Sequence, residues 1–195
     1  MPDNVLDRRV VRTRQILQEA LVSLMKERQY DRITVQDIID RANVGRSTFY
    51  SHFITKDELL KSSIEQMIQS LSLYIPHMSD DPDHPGMIPV AGLFKHIQEN
   101  SPLVKALIRG KSADLFVDKI QEHLNKKFEK FISELLKKGK QTAVPIPILS
   151  NYICSTLIFL LKWWLDNKMQ YTPVQMEQYF CELVIPSVKA AIKDC

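Results

Sequence analysis

Between residues 113 and 138 the apolar side chains Phe116, Ile120, Leu124, Phe128, Phe131 and Leu135 recur every three or four positions. That spacing lines one stripe of an α-helix, whereas in a strand it would scatter them over both faces. The same period governs the rest of the chain. Ile16, Leu17, Ala20, Leu21, Leu24 and Met25 predict a helix over about 9–28. Thr34, with Asp37 three residues on, reads as the capping box of a helix whose apolar face is Val35, Ile38, Ile39 and Ala42. Asn43, which tolerates positive φ, suits a sharp turn there. A short helix containing Arg46 to Phe53 follows, and Thr55 with Glu58 opens another that runs to about residue 74.

Further helices are predicted over about 90–99, 102–109, 113–138, 148–168 and 173–192. Gly139 is placed as a C-terminal stop, Thr172 and Pro173 as an N-cap and first-turn proline, and Pro186 as a kink. No strand pattern of any length and no internal repeat appears. Four prolines, a glycine and three aspartates mark 75–89 as a loop. The fold class is therefore all-α, with about nine helices. A boundary is drawn near residue 55, where three compact helices give way to longer ones, so that 1–55 and 56–195 form two domains.

Composition excludes several classes. Five glycines among 195 residues argue against turn-rich all-β folds and disorder. Three cysteines, Cys154, Cys181 and Cys195, with no Cys-x-x-Cys pair, read as reduced thiols of a cytoplasmic protein. The most apolar run, 152–165, holds Lys162 and falls short of the roughly 20 residues of a membrane span, so a buried helix is the reading. His77, His84, Asp80, Asp81 and Asp83 share the 75–89 loop, but the prolines and irregular spacing read as a solvated loop, not a metal site. No Ser-His-Asp or Cys-His arrangement, phosphate loop or paired carboxylates appear, so neither enzyme activity nor a cofactor is expected.

Net charge is only +3, yet the distribution is uneven. Arg8, Arg9, Arg12 and Arg14 crowd one short stretch, and Arg41, Arg46 and Lys56 span another that lacks acids. Two short helices joined by a tight turn, the second of them polar and cationic, describe a helix-turn-helix. Val44, Phe49 and Phe53 can pack inward, leaving Arg46, Ser47, Tyr50 and His52 to face a duplex. Arg46 can reach a guanine edge bidentately, Ser47 permits close approach, and Tyr50, His52 and Lys56 can serve phosphates. Arg8, Arg9 and Arg12 are placed at a phosphate or minor-groove contact.

The segment ITVQDIIDRANVGRSTFYSHFITKDELL, residues 33–60, closely resembles the DNA-binding signature of TetR/AcrR-type transcriptional regulators. Thr34, Ile38, Ala42, Val44, Thr48, Phe49, Tyr50, His52, Phe53, Lys56 and Leu59 or Leu60 fall on that pattern. Asn43 stands where glycine is usual and Ile39 where alanine is frequent. The resemblance implies an all-α homodimer with an N-terminal three-helix DNA-binding domain. It implies a larger helical C-terminal domain that binds a small molecule, and repression more often than activation. Candidate DNA contacts are thus Arg12, Thr34, Arg46, Ser47, Thr48, Tyr50, His52 and Lys56, on a palindromic duplex operator.

Tyr74, Phe94, Phe116, Ile120, His123, Tyr152 and Phe159 are candidate walls of an effector cavity, being apolar or aromatic with few polar tips. The helix over 148–168 is apolar nearly all round, which a monomer surface does not allow. With the last helix it is expected to form a four-helix dimer interface, to which Phe159, Trp164, Tyr179 and Leu183 contribute. Trp163 and Trp164 are about 100° apart on that helix, so one should face the core and the other an interface. The alternative function is a protein-interaction module that docks on another regulator through the same fold.

Overall fold

Nine α-helices, one 3-10 turn and one pair of short strands make up the described residues of the computed structural model, which are 3–71, 88–108, 112–136 and 140–194. By packing, the chain divides into two compact units. The first comprises Met1–Met67 with Pro102–Val117, the second Ile68–Ser101 with Asp118–Cys195.

In the first unit, α1 (Asp3–Glu27) packs on α2 (Val35–Ala42) and α3 (Arg46–His52). Leu17, Leu21, Ile33, Ile38, Phe49, Phe53, Leu59 and Ile64 form its core, each no more than 1% exposed. Helix α1 begins at Asp3 rather than near residue 9, so the arginine-rich arm is itself helical. The capping box of α2 is present as expected: Thr34 Oγ1 accepts from Asp37 N at 3.2 Å, and Asp37 Oδ2 accepts from Thr34 N at 2.8 Å. The 3-10 turn Tyr30–Arg32 between α1 and α2 carries no periodic signal and was not expected. Helix α4 (Lys56–Leu71) opens with Glu58 N donating to Thr55 Oγ1, while the Glu58 carboxylate reaches back one residue further, to Ile54 N at 2.7 Å. Leu59, Leu60 and Ile64 of α4 are buried, so packing carries this unit past the residue-55 boundary to Met67. Residues 102–117, holding most of α6 (Ser101–Leu107) and the start of α7 (Ser112–Leu136), join it.

In the second unit, α9 (Pro173–Ala191) packs against α5 (Ala91–Glu99) and α8 (Ile146–Asp166). Val90, the residue before α5, caps it with no side chain. The cap comes instead from Glu177 of α9, whose carboxylate accepts from Val90 N and Ala91 N. Glu177 is only 7% exposed, and those two backbone donors make its burial tolerable. Thr172 and Pro173 open α9 as predicted, with Gln175 completing a capping box. Pro186 lies inside α9 and deprives its ladder of one donor. Nearby, the Tyr152 hydroxyl of α8 lies 3.2 Å from Leu183 O and 3.1 Å from Ser187 Oγ, supplying a donor to that stretch of α9.

Two expectations need correction. Strands β1 (Lys140–Thr142) and β2 (Ile192–Asp194) pair antiparallel with Gln141 opposite Lys193, where no strand was expected. Three residues are too few for a period of two to register. Helix α8 has 21 residues and is long and apolar enough to cross a membrane, so the length argument against a span does not hold. Burial of Leu149, Ile153, Leu157, Leu161, Trp164 and Leu165 in the second unit accounts for one side of the helix, and Ile148, Tyr152, Phe159 and Trp163 leave the other apolar side exposed. The 75–87 segment with its histidines and aspartates, Arg109 and Gly139 lie outside the described residues.

Candidate nucleic-acid interface

The turn between α2 and α3 is built on Asn43, which adopts φ 51° and ψ 50°. Asn43 N donates to Asp40 O and Val44 N to Ile39 O, the paired closure of a Schellman motif. Glycine meets this left-handed requirement without strain, and asparagine is among the residues that tolerate it best. The turn therefore survives the departure from the family signature. Gly45 follows as the N-cap of α3 at φ −74°, a conformation open to any residue.

Phe49 and Phe53 anchor α3, at 0% and 1% exposure, with Val44 half-buried beside them. Arg46, Ser47, Tyr50 and Ser51 are exposed: Ser47 and Ser51 lie opposite the buried pair, while Arg46 and Tyr50 sit one turn before Phe49 and Phe53, on the edge of the buried face. Arg46 and Tyr50 are one turn apart, and the guanidinium lies 5.9 Å from the Tyr50 ring centroid. Tyr50 itself sits edge-on to Phe49 at 5.3 Å. The core thus fixes the ring, and the ring gives the arginine a shelf. Thr48 and His52 are half-buried on the flank of this face. Ser51, not singled out from sequence, belongs to it. Its hydroxyl donates to Thr48 O at 2.8 Å, and helical phase alone would have placed it.

The surrounding charges divide into outward and inward sets. Arg12, with Arg8 and Arg9, is exposed on α1. Arg41 is taken up by Glu27, with bonds of 2.8 and 2.9 Å, and by Ser23. Thr34 is exposed but its hydroxyl is committed to Asp37, so its first task is holding the start of α2. Asp37 also pairs with Arg28 at 2.8 Å. The bonds from Thr34 chiefly, then Arg28, hold its carboxyl at about 2. Lys56, expected to meet phosphate, turns inward. Its Nζ donates to Tyr30 O at 3.0 Å and Ile33 O at 2.7 Å, and stands 4.1 Å from the Tyr30 ring. Two of its three N–H donors are spent clasping the 3-10 turn to α4. The Tyr30 hydroxyl donates to Asp57, and burial first, then Asp57, raises its pKa.

The effector and dimer candidates separate in the same way. Phe94 and Ile120 are buried in the second unit, Phe94 edge-on to Trp164 at 5.3 Å. Phe116 is buried on the part of α7 that belongs to the first unit. His123 is half-buried, and burial above all, then Lys127 and Lys126, lowers its pKa. Tyr74 lies outside the described residues. Tyr152 and Phe159 do not line an interior: they are 40% and 65% exposed on the outer face of α8. Ile148 and Trp163 share that face, because steps of 4, 7 and 4 residues keep one helical azimuth. Leu183 of α9 is 54% exposed and Tyr179 half-buried. Trp164 must be withdrawn from the interface set. It is 0% exposed and its indole N–H donates to Tyr171 O at 2.9 Å, leaving Trp163 as the outward tryptophan. Among the described residues, no group of three or more His, Cys, Asp or Glu is placed to hold a metal ion.

Comparison with known proteins follows the same division. Residues 16–62 match the model described as bacterial regulatory proteins, tetR family. Residues 90–186 match that of a transcriptional regulator C-terminal region of the TetR type. An uncharacterized HTH-type transcriptional regulator, YxbF of Bacillus subtilis, is 47% identical over 62 residues, 31% of this chain. The match spans only 16% of that relative's length. A TetR transcriptional regulator from Streptococcus agalactiae has a similar structure: TM-score 0.63, 29% identity, 92% of this chain and 97% of that one. RolR in complex with resorcinol shares the fold at TM-score 0.63 and 20% identity, over 93% of this chain and 89% of that one. With two TetR models matched in succession and a helix-turn-helix built as described, the chain belongs to the TetR family of transcriptional regulators.

Proposed function

We propose that this chain is a homodimeric, sequence-specific DNA-binding regulator, a repressor released by a small-molecule effector. The observation that carries the reading is the two-sided character of α3, with Phe49 and Phe53 in the core and Arg46, Ser47 and Tyr50 outward. A merely structural hairpin has no need of an arginine held over a tyrosine on its exposed side. In this reading Arg46 takes a base edge, Ser47 and Ser51 allow close approach, and Thr48, Tyr50 and His52 meet the backbone. Thr34 and Lys56 act chiefly by holding α2 and α4. Arg12, with Arg8 and Arg9, supplies phosphate charge.

The outer stripe Ile148, Tyr152, Phe159 and Trp163 supports the dimer, since isolated exposed apolar residues need no cover but an aligned row does. Leu183 adjoins that stripe through the Tyr152 hydroxyl, which reaches Leu183 O and Ser187, and Tyr179 through Tyr171, whose ring stacks on Trp163. Two recognition helices about 34–36 Å apart read successive major grooves of a palindromic operator. Residues 1–55 contact DNA in this division of labour, and 56–195 serve effector and dimer. RolR was crystallised with resorcinol, which supports a small aromatic as the kind of effector this fold holds. Phe94, Ile120 and His123, all in the second unit, are the residues retained for it here. Repression is the sign of control the family resemblance implies, and the cytoplasm is where such a protein works. Selection from a random duplex pool, followed by gel shift, tests the reading. A palindromic consensus is expected, and recovery of no consensus at low salt would defeat it.

A further inference from the structure

Arg14 belongs by sequence to the arginine cluster of α1, yet it is half-buried where Arg8, Arg9 and Arg12 are exposed. Its Nη1 donates to His52 O at 3.1 Å, the carbonyl that ends α3. Its Nη2 donates to Ser62 Oγ of α4 at 3.3 Å. The guanidinium plane covers the Phe53 ring, with Cζ 4.3 Å from the centroid. Ser62 Oγ also accepts from Gln18 of α1 at 3.0 Å. One side chain therefore touches the end of α3, the ring that follows it and the second turn of α4.

Helix α3 has seven residues, far below the length at which a helix persists unaided. Phe49 and Phe53 set how deep it lies, but two rings on one side leave it free to roll. Its last carbonyls have no partner within the helix, and a cation at that end also meets the negative pole of its dipole. A planar guanidinium can hold two oxygens on different elements with separate nitrogens while lying on a ring, which a single ammonium nitrogen cannot match. We propose that Arg14 is the positioning residue of α3: it fixes the roll of the helix, and through it the angle at which Arg46, Ser47 and Tyr50 meet base edges. This rests on α3 being the DNA-reading helix. Acting through the helix, Arg14 neutralises no phosphate. Its loss should erode discrimination between sequences and leave the salt dependence of binding intact.

The test uses the full chain, a duplex selected from a random pool and a scrambled duplex of equal length. Arg14→Lys keeps the charge and loses the fork. It should weaken binding to the selected duplex by about ten- to a hundredfold, the scale of a lost charge-assisted hydrogen bond. Binding to the scrambled duplex and the slope of log K against log salt should match wild type. Arg12→Ala, by contrast, should weaken both duplexes and flatten the slope by about one unit. Amide exchange at Phe53, whose N–H bonds Phe49 O at 2.9 Å, should quicken in Arg14→Lys. Ser62→Ala removes one anchor and keeps the cap, and should give a smaller loss confined to the selected duplex. Equal weakening of both duplexes with a flatter slope in Arg14→Lys would make Arg14 a phosphate contact and overturn the proposal. So would wild-type affinity for both duplexes. If the wild type selects no duplex, the DNA reading itself fails, and unaltered Phe53 exchange in Arg14→Lys would then sink the positioning role separately.

Discussion

Replacing Phe159 with alanine should separate the two subunits of the proposed dimer. Phe159 is 65% exposed in the single chain. A phenylalanine buries about 200 Å² when fully covered, so about 130 Å² faces outward here. At about 25 cal/mol per Å² a partner covering that area gains about 3 kcal/mol, of which alanine keeps about a third. The loss is about 2 kcal/mol per copy. A two-fold axis doubles it to about 4 kcal/mol, which raises the dimer dissociation constant roughly a thousandfold. Sedimentation velocity from about 10 nM to 10 μM reads the shift directly. Val174→Ala provides the control. Val174 is 68% exposed, more than Leu183, but the two lie nine residues apart on α9, about 180° around the helix. Only Leu183 adjoins the α8 stripe, so Val174→Ala should leave the dimer intact and Leu183→Ala should weaken it. Equal dissociation in Val174→Ala and Phe159→Ala, or none in either, would refute the interface as drawn.

Arg46→Ala should cost about 1–3 kcal/mol on a selected duplex and relax preference at one base pair, read by competition gel shift against single-base variants. Lys56→Met should lower the melting temperature by removing the clasp on Tyr30 O and Ile33 O while leaving the salt slope of DNA binding unaltered. A flatter slope would restore its phosphate role. Gly45→Ser should stabilise the protein by about 0.5–1 kcal/mol in urea melts, since φ −74° suits serine and a hydroxyl there can cap α3. A Cβ at that position meets nothing closer than 3.8 Å, so destabilisation would contradict the described turn. Asp37 titrates at about 2 in the fold against an ordinary 3.8, so its stabilisation is full above about pH 4 and drains away as pH falls toward 2. Asp37→Asn should therefore be the less stable protein at pH 6, with the gap to wild type closing by about pH 2 in urea melts; a constant gap would count against it.

Local rules written within a few residues could be read without coordinates. The Thr34 and Thr172 caps, the positive φ of Asn43 and the helical periods each depend on neighbours at most four positions away. The side of α3 opposite Phe49 and Phe53, where Ser47 and Ser51 lie, follows equally from local phase, whereas Arg46 and Tyr50 sit one turn before those rings and owe their exposure to the packing. What sequence could not supply was the partner of a long polar side chain. Arg14 read only as part of a cationic cluster and Lys56 as a phosphate contact, yet each bends back to carbonyls 23 to 38 residues away, where helix and turn ends leave oxygen lone pairs to spare. Nothing in the sequence singles out Glu177, yet it caps α5 from 86 or 87 residues downstream, where Val90 offers no side-chain acceptor. Trp163 and Trp164 show the division most clearly. Their 100° separation was certain from the sequence. Which of them entered the core was decided by Phe94 and by the Tyr171 carbonyl, which pair only once α5, α8 and the turn beyond it have packed.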